Sequence, residues 1–217
     1  MIDVAEQINA VSRHVGSRVF GPGEARVATI SQTYDTDVDD LWDACTNPER
    51  LPRWFLPVTG ELTVGGRYQL EGNAGGTVER CDPPKSFFAT WEFNGMVSWL
   101  EVRVAPESEG RTRLELEHTA HVDDDLWSEY GPGATGIGWD LALMGLASHL
   151  TPGRPAVTPE NAEEWAMSPE GIEFVRAAAD RWRVAHIESG TDEETANAAA
   201  QRVTAFYTPP PETPAGD

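Results

Sequence analysis

The feature that most constrains the fold is a run of six short segments in which apolar and polar residues alternate. Such a period of two is typical of β-strands with one buried and one solvated face. Turn-forming Gly, Pro, Asn and Asp residues separate the segments, which favours antiparallel neighbours joined by short loops. An earlier segment, 26–34, alternates less regularly. The predicted strands of the run are 61–64, 66–71, 76–81, 87–93, 98–105 and 112–120.

The apolar face of such a sheet needs a cover, because apolar side chains left in water lose the stabilisation that burial provides. The segment 134–150 is the one stretch that is long and apolar enough to supply it as a helix. The sequence therefore predicts an α+β fold in which a curved antiparallel sheet grips a long C-terminal helix. Two short helices are predicted after the first strand, between it and residue 55.

Both ends of the chain have helical patterns. In the segment 1–20, Val4, Ile8, Val11 and Val15 recur at helical spacing, which predicts an N-terminal amphipathic helix. The segment 156–207 predicts a helical extension of two amphipathic helices, the first beginning at Ser168 and Pro169. This extension either packs on its own protomer or forms a homodimer interface or partner-binding surface. The segment 208–217 is predicted to be a disordered tail.

Composition restricts the partners. The 217 residues carry a formal net charge of −20, and a negative field of that size repels nucleic acid and anionic membranes. Hydrophobic residues nevertheless make up 40% of the chain, which excludes the composition of a disordered protein. Two cysteines are too few for a disulfide scaffold, and the N-terminus has no secretory pattern, so the expected location is the cytoplasm. Neither a phosphate-binding glycine loop nor a zinc spacing is present, so no cofactor is predicted.

Several motifs along the central segment resemble the START-like (SRPBCC, helix-grip) superfamily. Within it, they are most similar to the branch named after the activator of the heat-shock-protein-90 ATPase, whose bacterial members are often polyketide-cyclase-like or uncharacterised. The resemblance covers residues 26–150. Its motifs, in chain order, are Val38-x-x-Leu41-Trp42, Asn47-Pro-Glu-Arg-Leu-Pro-Arg-Trp-Phe55, Gly65-Gly-Arg-Tyr68, Gly76-Thr-Val-Glu-Arg-Cys-Asp-Pro-Pro84, Thr90-Trp91 and Leu114-x-Leu116-x-His118.

The resemblance implies a cavity between the sheet and the long helix. Aromatic residues from both elements are expected to converge on that space, which is typical of sites for small apolar ligands; the alternative is a solid core. Trp54, next to Phe55, is expected to plug or gate one end, and His118 is the best candidate for a polar group inside. The predicted ligand-binding residues are Trp54, Tyr68, Trp91, His118, Trp139 and Leu143.

Three functions stay open at this point. The first is binding of a small hydrophobic or aromatic molecule, the second a co-chaperone-like protein-interaction module, and the third a cyclase- or hydrolase-like enzyme. No catalytic motif is present, so whether the chain is an enzyme stays open, with a non-enzymatic binding protein favoured. His118 and His121 lie three apart, which on a strand places them on opposite faces, so a metal site is not predicted.

One acidic residue interrupts the predicted long helix. Asp140 could cap its first turn, face solvent, or reach Arg67 or Arg103 across the domain.

Overall fold

The structure is a computed structural model and describes residues 3–153, 157 and 161–208. It confirms the predicted α+β class: an eight-stranded antiparallel sheet curves around a long C-terminal helix. The sheet order is β1-β2-β8-β7-β6-β5-β4-β3. The strands are β1 (Val11–Phe20), β2 (Gly23–Tyr34), β3 (Val58–Gly60), β4 (Arg67–Leu70), β5 (Gly75–Asp82), β6 (Ser86–Phe93), β7 (Met96–Ser108) and β8 (Arg111–Ala120).

The helices lie after β2 and at the two ends of the chain. No helix in the described ranges is long and apolar enough to cross a membrane. The helices are α1 (Val4–Asn9), α2 (Val38–Thr46), α3 (Asp124–Tyr130), α4 (Gly133–Leu150), α5 (Ala162–Ala166), α6 (Pro169–Glu188) and α7 (Glu193–Tyr207), and a 3-10 turn covers Leu51–Arg53.

The N-terminal helix predicted for 1–20 is wrong beyond its first two turns. Asp3 caps α1, whose last residue is Asn9, and the chain then continues as β1, which pairs with β2 from Val11↔Gln32 to Phe20↔Gly23. A spacing of four is even, so Val11 and Val15 share one face of a strand as readily as one face of a helix. The sheet therefore begins fifteen residues before the predicted boundary at residue 26, with β1 as an edge strand.

A second correction concerns the strand predicted for 61–64. The chain pairs instead at β3, where Val58–Gly60 lies opposite Leu70–Tyr68. Gly60 has a φ of 102°, a conformation that favours glycine, and it directs the following residues out of the ladder. Residues 61–66 then form a turn closed by a hydrogen bond from Gly66 N–H to Thr63 O, 2.8 Å.

The alternate strand residues that the sequence predicts to be apolar lie on the inner face of the sheet. Leu100, Val102, Leu114 and Leu116 are all buried and face α4. The outer face is less polar than the alternation predicts, because Phe20 at the end of β1 contacts Trp99, with ring centroids 4.7 Å apart. A small aromatic cluster therefore lies outside the cavity, and Trp99 belongs to it.

The C-terminal extension packs on the same protomer. Ser168 caps α6, and Phe174, Val175 and Trp182 on its inner face are fully buried against the core that includes α4. The apolar face of α6, which the sequence predicts to pack either on its own protomer or in a homodimer interface, therefore packs on its own protomer. Homodimer formation stays a prediction, and residues 209–217 of the predicted tail lie outside the described residues.

Asp140 joins three parts of the chain, and none of the partners expected for it is involved. Its carboxylate accepts hydrogen bonds from Arg13 on β1 and from Trp182 Nε1 on α6, the latter at 2.7 Å. The Arg13 and Asp140 side chains are only 3% and 1% exposed. Arg13 Nη1 donates to the carbonyl oxygens of Ile8 and Val11. This Arg13–Asp140–Trp182 cluster ties β1 and α6 to the outer face of α4.

Candidate functional site

A cavity of about 340 Å³ lies between the inner face of the sheet and α4. That volume is within the range of small-molecule sites, which begins at about 300 Å³. Its wall is formed by side chains of the sheet, α2, the turn that follows α2, and α4. The main contributors are Trp42, Cys45, Leu51, Trp54, Phe55, Tyr68, Leu70, Val78, Phe87, Ala89, Trp91, Leu100, Val102, Leu114, Leu116, Trp139, Ala142 and Leu143.

Five of the six predicted ligand-binding residues lie in this wall. Trp54 follows the 3-10 turn, and Tyr68 and Trp91 lie on strands of the sheet. Trp139 and Leu143 lie on adjacent turns of α4. His118 is the exception and is not part of the wall. Whether the five bind a ligand stays a prediction. They are Trp54, Tyr68, Trp91, Trp139 and Leu143.

Aromatic rings run in unbroken contact along one side of the cavity. The ring of Trp54 stacks on Phe55 at 5.5 Å, Phe55 lies 6.3 Å from Trp139, and Trp139 meets Trp91 edge-on at 5.0 Å. These separations fall within the range in which aromatic pairs stabilise each other. The plug expected from Trp54 and Phe55 is therefore continuous with the aromatic residues of the sheet and of α4.

His118 supports the aromatic wall from behind. Its Nδ1 lies 3.1 Å from Trp139 Nε1, which can only donate, so Nδ1 is the acceptor and the neutral ring carries its proton on Nε2. That Nε2 lies 2.8 Å from Ser98 Oγ, and the Ser98 hydroxyl in turn donates to the carbonyl oxygen of Trp91. Both nitrogens of His118 are therefore occupied, and the imidazole positions Trp139 rather than facing the cavity.

The proton state of His118 follows from its burial. Its side chain is 7% exposed, and removal from water lowers its pKa to about 4. The imidazole is therefore neutral near pH 7. His121, three residues on, is hydrogen-bonded to the carbonyl oxygen of Glu24 at 3.0 Å. No group of three His, Cys, Asp or Glu side chains that could hold a metal ion occurs in the described part of the chain.

The described residues that line the cavity carry no charge. Among the described residues, none of those lining it is Asp, Glu, Lys, Arg or His. Its ionisable groups are held in their protonated forms, since burial raises the pKa of the Cys45 thiol to about 12, that of the Tyr68 phenol also to about 12, and that of the Cys81 thiol above its ordinary value. An ionised ligand would find no opposite charge in the wall to offset the loss of its hydration.

One end of the wall is held by the turn that carries Trp54. Arg50 donates to the carboxylates of Asp40 at 2.7 Å and Asp43 at 3.0 Å, which fixes the turn on α2. Trp54 Nε1 donates to the carbonyl oxygen of Ala44 at 3.0 Å, and its own carbonyl group lies directly on Gly145 of α4. The turn approaches α4 so closely because Gly145 has no side chain.

Gly145→Ala is expected to lower the free energy of unfolding by about 1 to 3 kcal/mol, because the added Cβ overlaps the Trp54 carbonyl oxygen. The control is Gly138→Ala in the same helix, where the nearest atom to the new Cβ is Tyr207 Oη at 3.7 Å. That change replaces a helical glycine without a clash and is expected to raise the free energy of unfolding by at most about 1 kcal/mol. Urea unfolding followed by circular dichroism measures both. Equal effects of the two substitutions would contradict the close approach.

The sequence prediction missed several residues of the wall. Trp42 of α2 and Phe87 of β6 are two of them, and their rings contact each other with centroids 6.2 Å apart. The sequence could have identified both, since Trp42 belongs to the apolar stripe of its helix and Phe87 lies on the same face of its strand as Trp91. The exposed members of the wall, Leu62, Cys81 and Pro83, mark where the cavity opens to solvent.

Comparison with solved structures finds similar folds. CalU16 from Micromonospora echinospora is similar in its crystal structure, with 33% identity and a TM-score of 0.63, covering 82% of this chain and 99% of CalU16. Its solution structure gives 34% identity, a TM-score of 0.67, and coverage of 84% and 97%. Protein MLL2253 from Mesorhizobium loti, at 20% identity and a TM-score of 0.51 over 58% of this chain and 96% of its own, shares the fold.

Comparison with curated proteins gives no match. A protein-family model, described as the activator of Hsp90 ATPase homolog 1-like protein, matches residues 35–151, which is more than half of the chain. The matched segment runs from the end of β2 to the end of α4 and contains every element that lines the cavity. The resemblance inferred from the sequence motifs is thereby confirmed, and the chain belongs to the family of activator of Hsp90 ATPase homolog 1-like proteins.

Proposed function

We propose that the protein binds a small, uncharged, apolar molecule in the cavity between the sheet and α4. The observation that carries this proposal is an aromatic space of about 340 Å³ that has no charged residue among those described in its wall. Apolar surface that a ligand buries there is removed from water, at a gain of roughly 25 cal/mol per Å². The wall is also braced by hydrogen bonds, so little ordering is required when a ligand enters.

The wall of the cavity offers a direct test of this function. Ala142 lines it from α4, and Ala142→Phe places a ring inside the space. The neutral dye N-phenyl-1-naphthylamine is expected to bind the unaltered protein with increased fluorescence, and Ala142→Phe is expected to weaken that binding at least tenfold, because the ring occupies the ligand's volume. The control is Ala134→Phe, an exposed position on the same helix.

Two results would count against the proposal. One is that the dye fails to bind the unaltered protein. The other is that it binds Ala142→Phe as well as it binds Ala134→Phe, with both variants folded by circular dichroism. The second result would place the dye on the surface of the protein.

The other functions predicted from the sequence have no comparable support in the described residues. A co-chaperone-like interaction and cyclase- or hydrolase-like catalysis remain predictions. The expected cytoplasmic location and the exclusion of nucleic acid and membrane partners likewise remain predictions.

A further inference from the structure

The hydrogen-bonding groups of the cavity wall limit the chemistry of the ligand more sharply than its apolar lining does. Apart from the two thiols, six side chains of the wall carry an N–H or O–H donor: Trp42, Thr46, Trp54, Tyr68, Trp91 and Trp139. A donor that a ligand covers needs an acceptor, since a buried donor without one costs about 1 to 3 kcal/mol. The acceptor of each donor can be traced.

Four of the six donors are satisfied within the protein. The Thr46 hydroxyl donates to the carbonyl oxygen of Trp42 at 2.7 Å, and the Tyr68 hydroxyl donates to that of Thr90, also at 2.7 Å. The indole N–H groups of Trp54 and Trp139 donate to Ala44 O and His118 Nδ1, as described above. These four groups have no proton left for a ligand.

The indoles of Trp42 and Trp91 differ from the other four donors. Neither Nε1 has a hydrogen-bond acceptor in the part of the chain that the structure describes. His118, whose ring contacts Trp91, does not supply one, because both of its nitrogens are engaged. Partly buried indoles usually find an acceptor. Both residues line the cavity, and neither Nε1 is among the buried polar atoms that lack a partner in the described residues, so both N–H groups are accessible. A ligand that covers either N–H is favoured if it accepts a hydrogen bond from it.

We propose that the ligand is a neutral aromatic compound bearing a carbonyl oxygen, which accepts a hydrogen bond from the free indole N–H of Trp91 or Trp42. The aromatic wall favours flat rings, the lack of charge in the described wall disfavours carboxylates and amines, and the unused donors favour an acceptor over a pure hydrocarbon. This inference rests on the proposed function, because it names the class of molecule that the same cavity takes.

Three probes that share one tricyclic ring system test the inference by displacement of N-phenyl-1-naphthylamine: fluorene, 9-fluorenone and 9-fluorenone-2-carboxylate. In the unaltered protein, the carboxylate is expected to bind more than tenfold more weakly than fluorenone, because its charge has no partner in the wall. The ratio of fluorenone affinity to fluorene affinity is then compared among variants. Hydration of the carbonyl in water is common to all of them and cancels.

Trp91→Phe or Trp42→Phe is expected to lower that ratio about fivefold, which corresponds to about 1 kcal/mol for one lost hydrogen bond. The matched control is Trp99→Phe, which lies in the aromatic cluster outside the cavity and is expected to leave the ratio unchanged. The comparison of carboxylate and ketone in the unaltered protein keeps the test valid if a tryptophan variant fails to fold.

An unchanged ratio in both cavity variants, or equal binding of the carboxylate and the ketone, would overturn the inference while leaving the proposed function intact. Failure of fluorene and fluorenone alike to bind the unaltered protein would overturn the proposed function itself. The two failures are therefore distinguishable.

Discussion

Replacement of Asp140 by alanine is expected to lower the free energy of unfolding by about 3 to 5 kcal/mol. Its side chain is 1% exposed and is the anionic partner of the Arg13 side chain, which is 3% exposed. Removing it leaves a buried guanidinium without a counter-charge and the Trp182 N–H without its acceptor. Because small domains have only about 5 to 15 kcal/mol of stability in total, the loss brings the protein close to unfolding. Urea unfolding at neutral pH measures it.

The matched control is Asp180→Ala, on the same helix as Trp182. Asp180 pairs with Arg183 at 2.8 Å, but its side chain is 59% exposed, so the change is expected to cost at most about 1 kcal/mol. The double replacement Arg13→Met with Asp140→Leu removes both buried charges and is expected to recover part of the stability, because only the Trp182 N–H is then left without its acceptor on α4. A loss below 1 kcal/mol for Asp140→Ala, or no recovery in the double variant, would contradict the assigned role of the pair.

Acidification is expected to destabilise the protein through His118. Burial holds its folded-state pKa at about 4, whereas an unfolded chain has the ordinary value near 6.5. Between these two values the unfolded state binds a proton that the folded state does not, so stability falls as the pH is lowered from about 6.5 towards 4. The contribution present above pH 6.5 and lost at pH 4.5 amounts to about 2 to 3 kcal/mol.

The variant His118→Gln isolates this effect, because a neutral amide can accept from Trp139 and donate to Ser98 without titrating. The quantity measured is the change in the free energy of unfolding between pH 7 and pH 4.5, by urea titration. Burial also lowers the pKa values of His149 and His186, but both remain in the variant and their effects cancel. His14→Gln, an exposed position on β1, serves as the control. Equal pH dependence in the unaltered protein and His118→Gln would refute the assignment.

Most of the central fold was predictable from local patterns. Alternation of apolar and polar residues located β4 to β8 to within a few residues, and the apolar run ending at Leu150 located α4. At these lengths the alternation fits only a strand, and the apolar run fits only a buried helix. The error at β1 arose where the pattern has two readings. Valines four apart fit one face of a helix and one face of a strand, and only pairing with β2, which is not local, decides between them.

The candidate site was predictable in type and only partly in membership. Parity identified which face of β6 is apolar, but not which of its residues border empty space rather than packed core. His118 shows the limit: it has the inward parity of Leu116 and yet lies outside the wall, because Trp139 and Ser98 take up both of its nitrogens. The partners of Asp140 lie 127 and 42 residues away, so no local spacing could reveal them.

The sheet order also has a consequence for how the chain folds as it is synthesised. β2, complete by Tyr34, has β8 as its second neighbour, and β8 begins only at Arg111. Until β8 emerges, the first hairpin stands alone, and a two-stranded hairpin is at best marginally stable in water. Arg13 can pair with Asp140 only after α4 has been synthesised, and Asp140 can accept from Trp182 only after α6 has been synthesised. Pairings of such long sequence separation close slowly, so stable folding follows synthesis of nearly the whole chain.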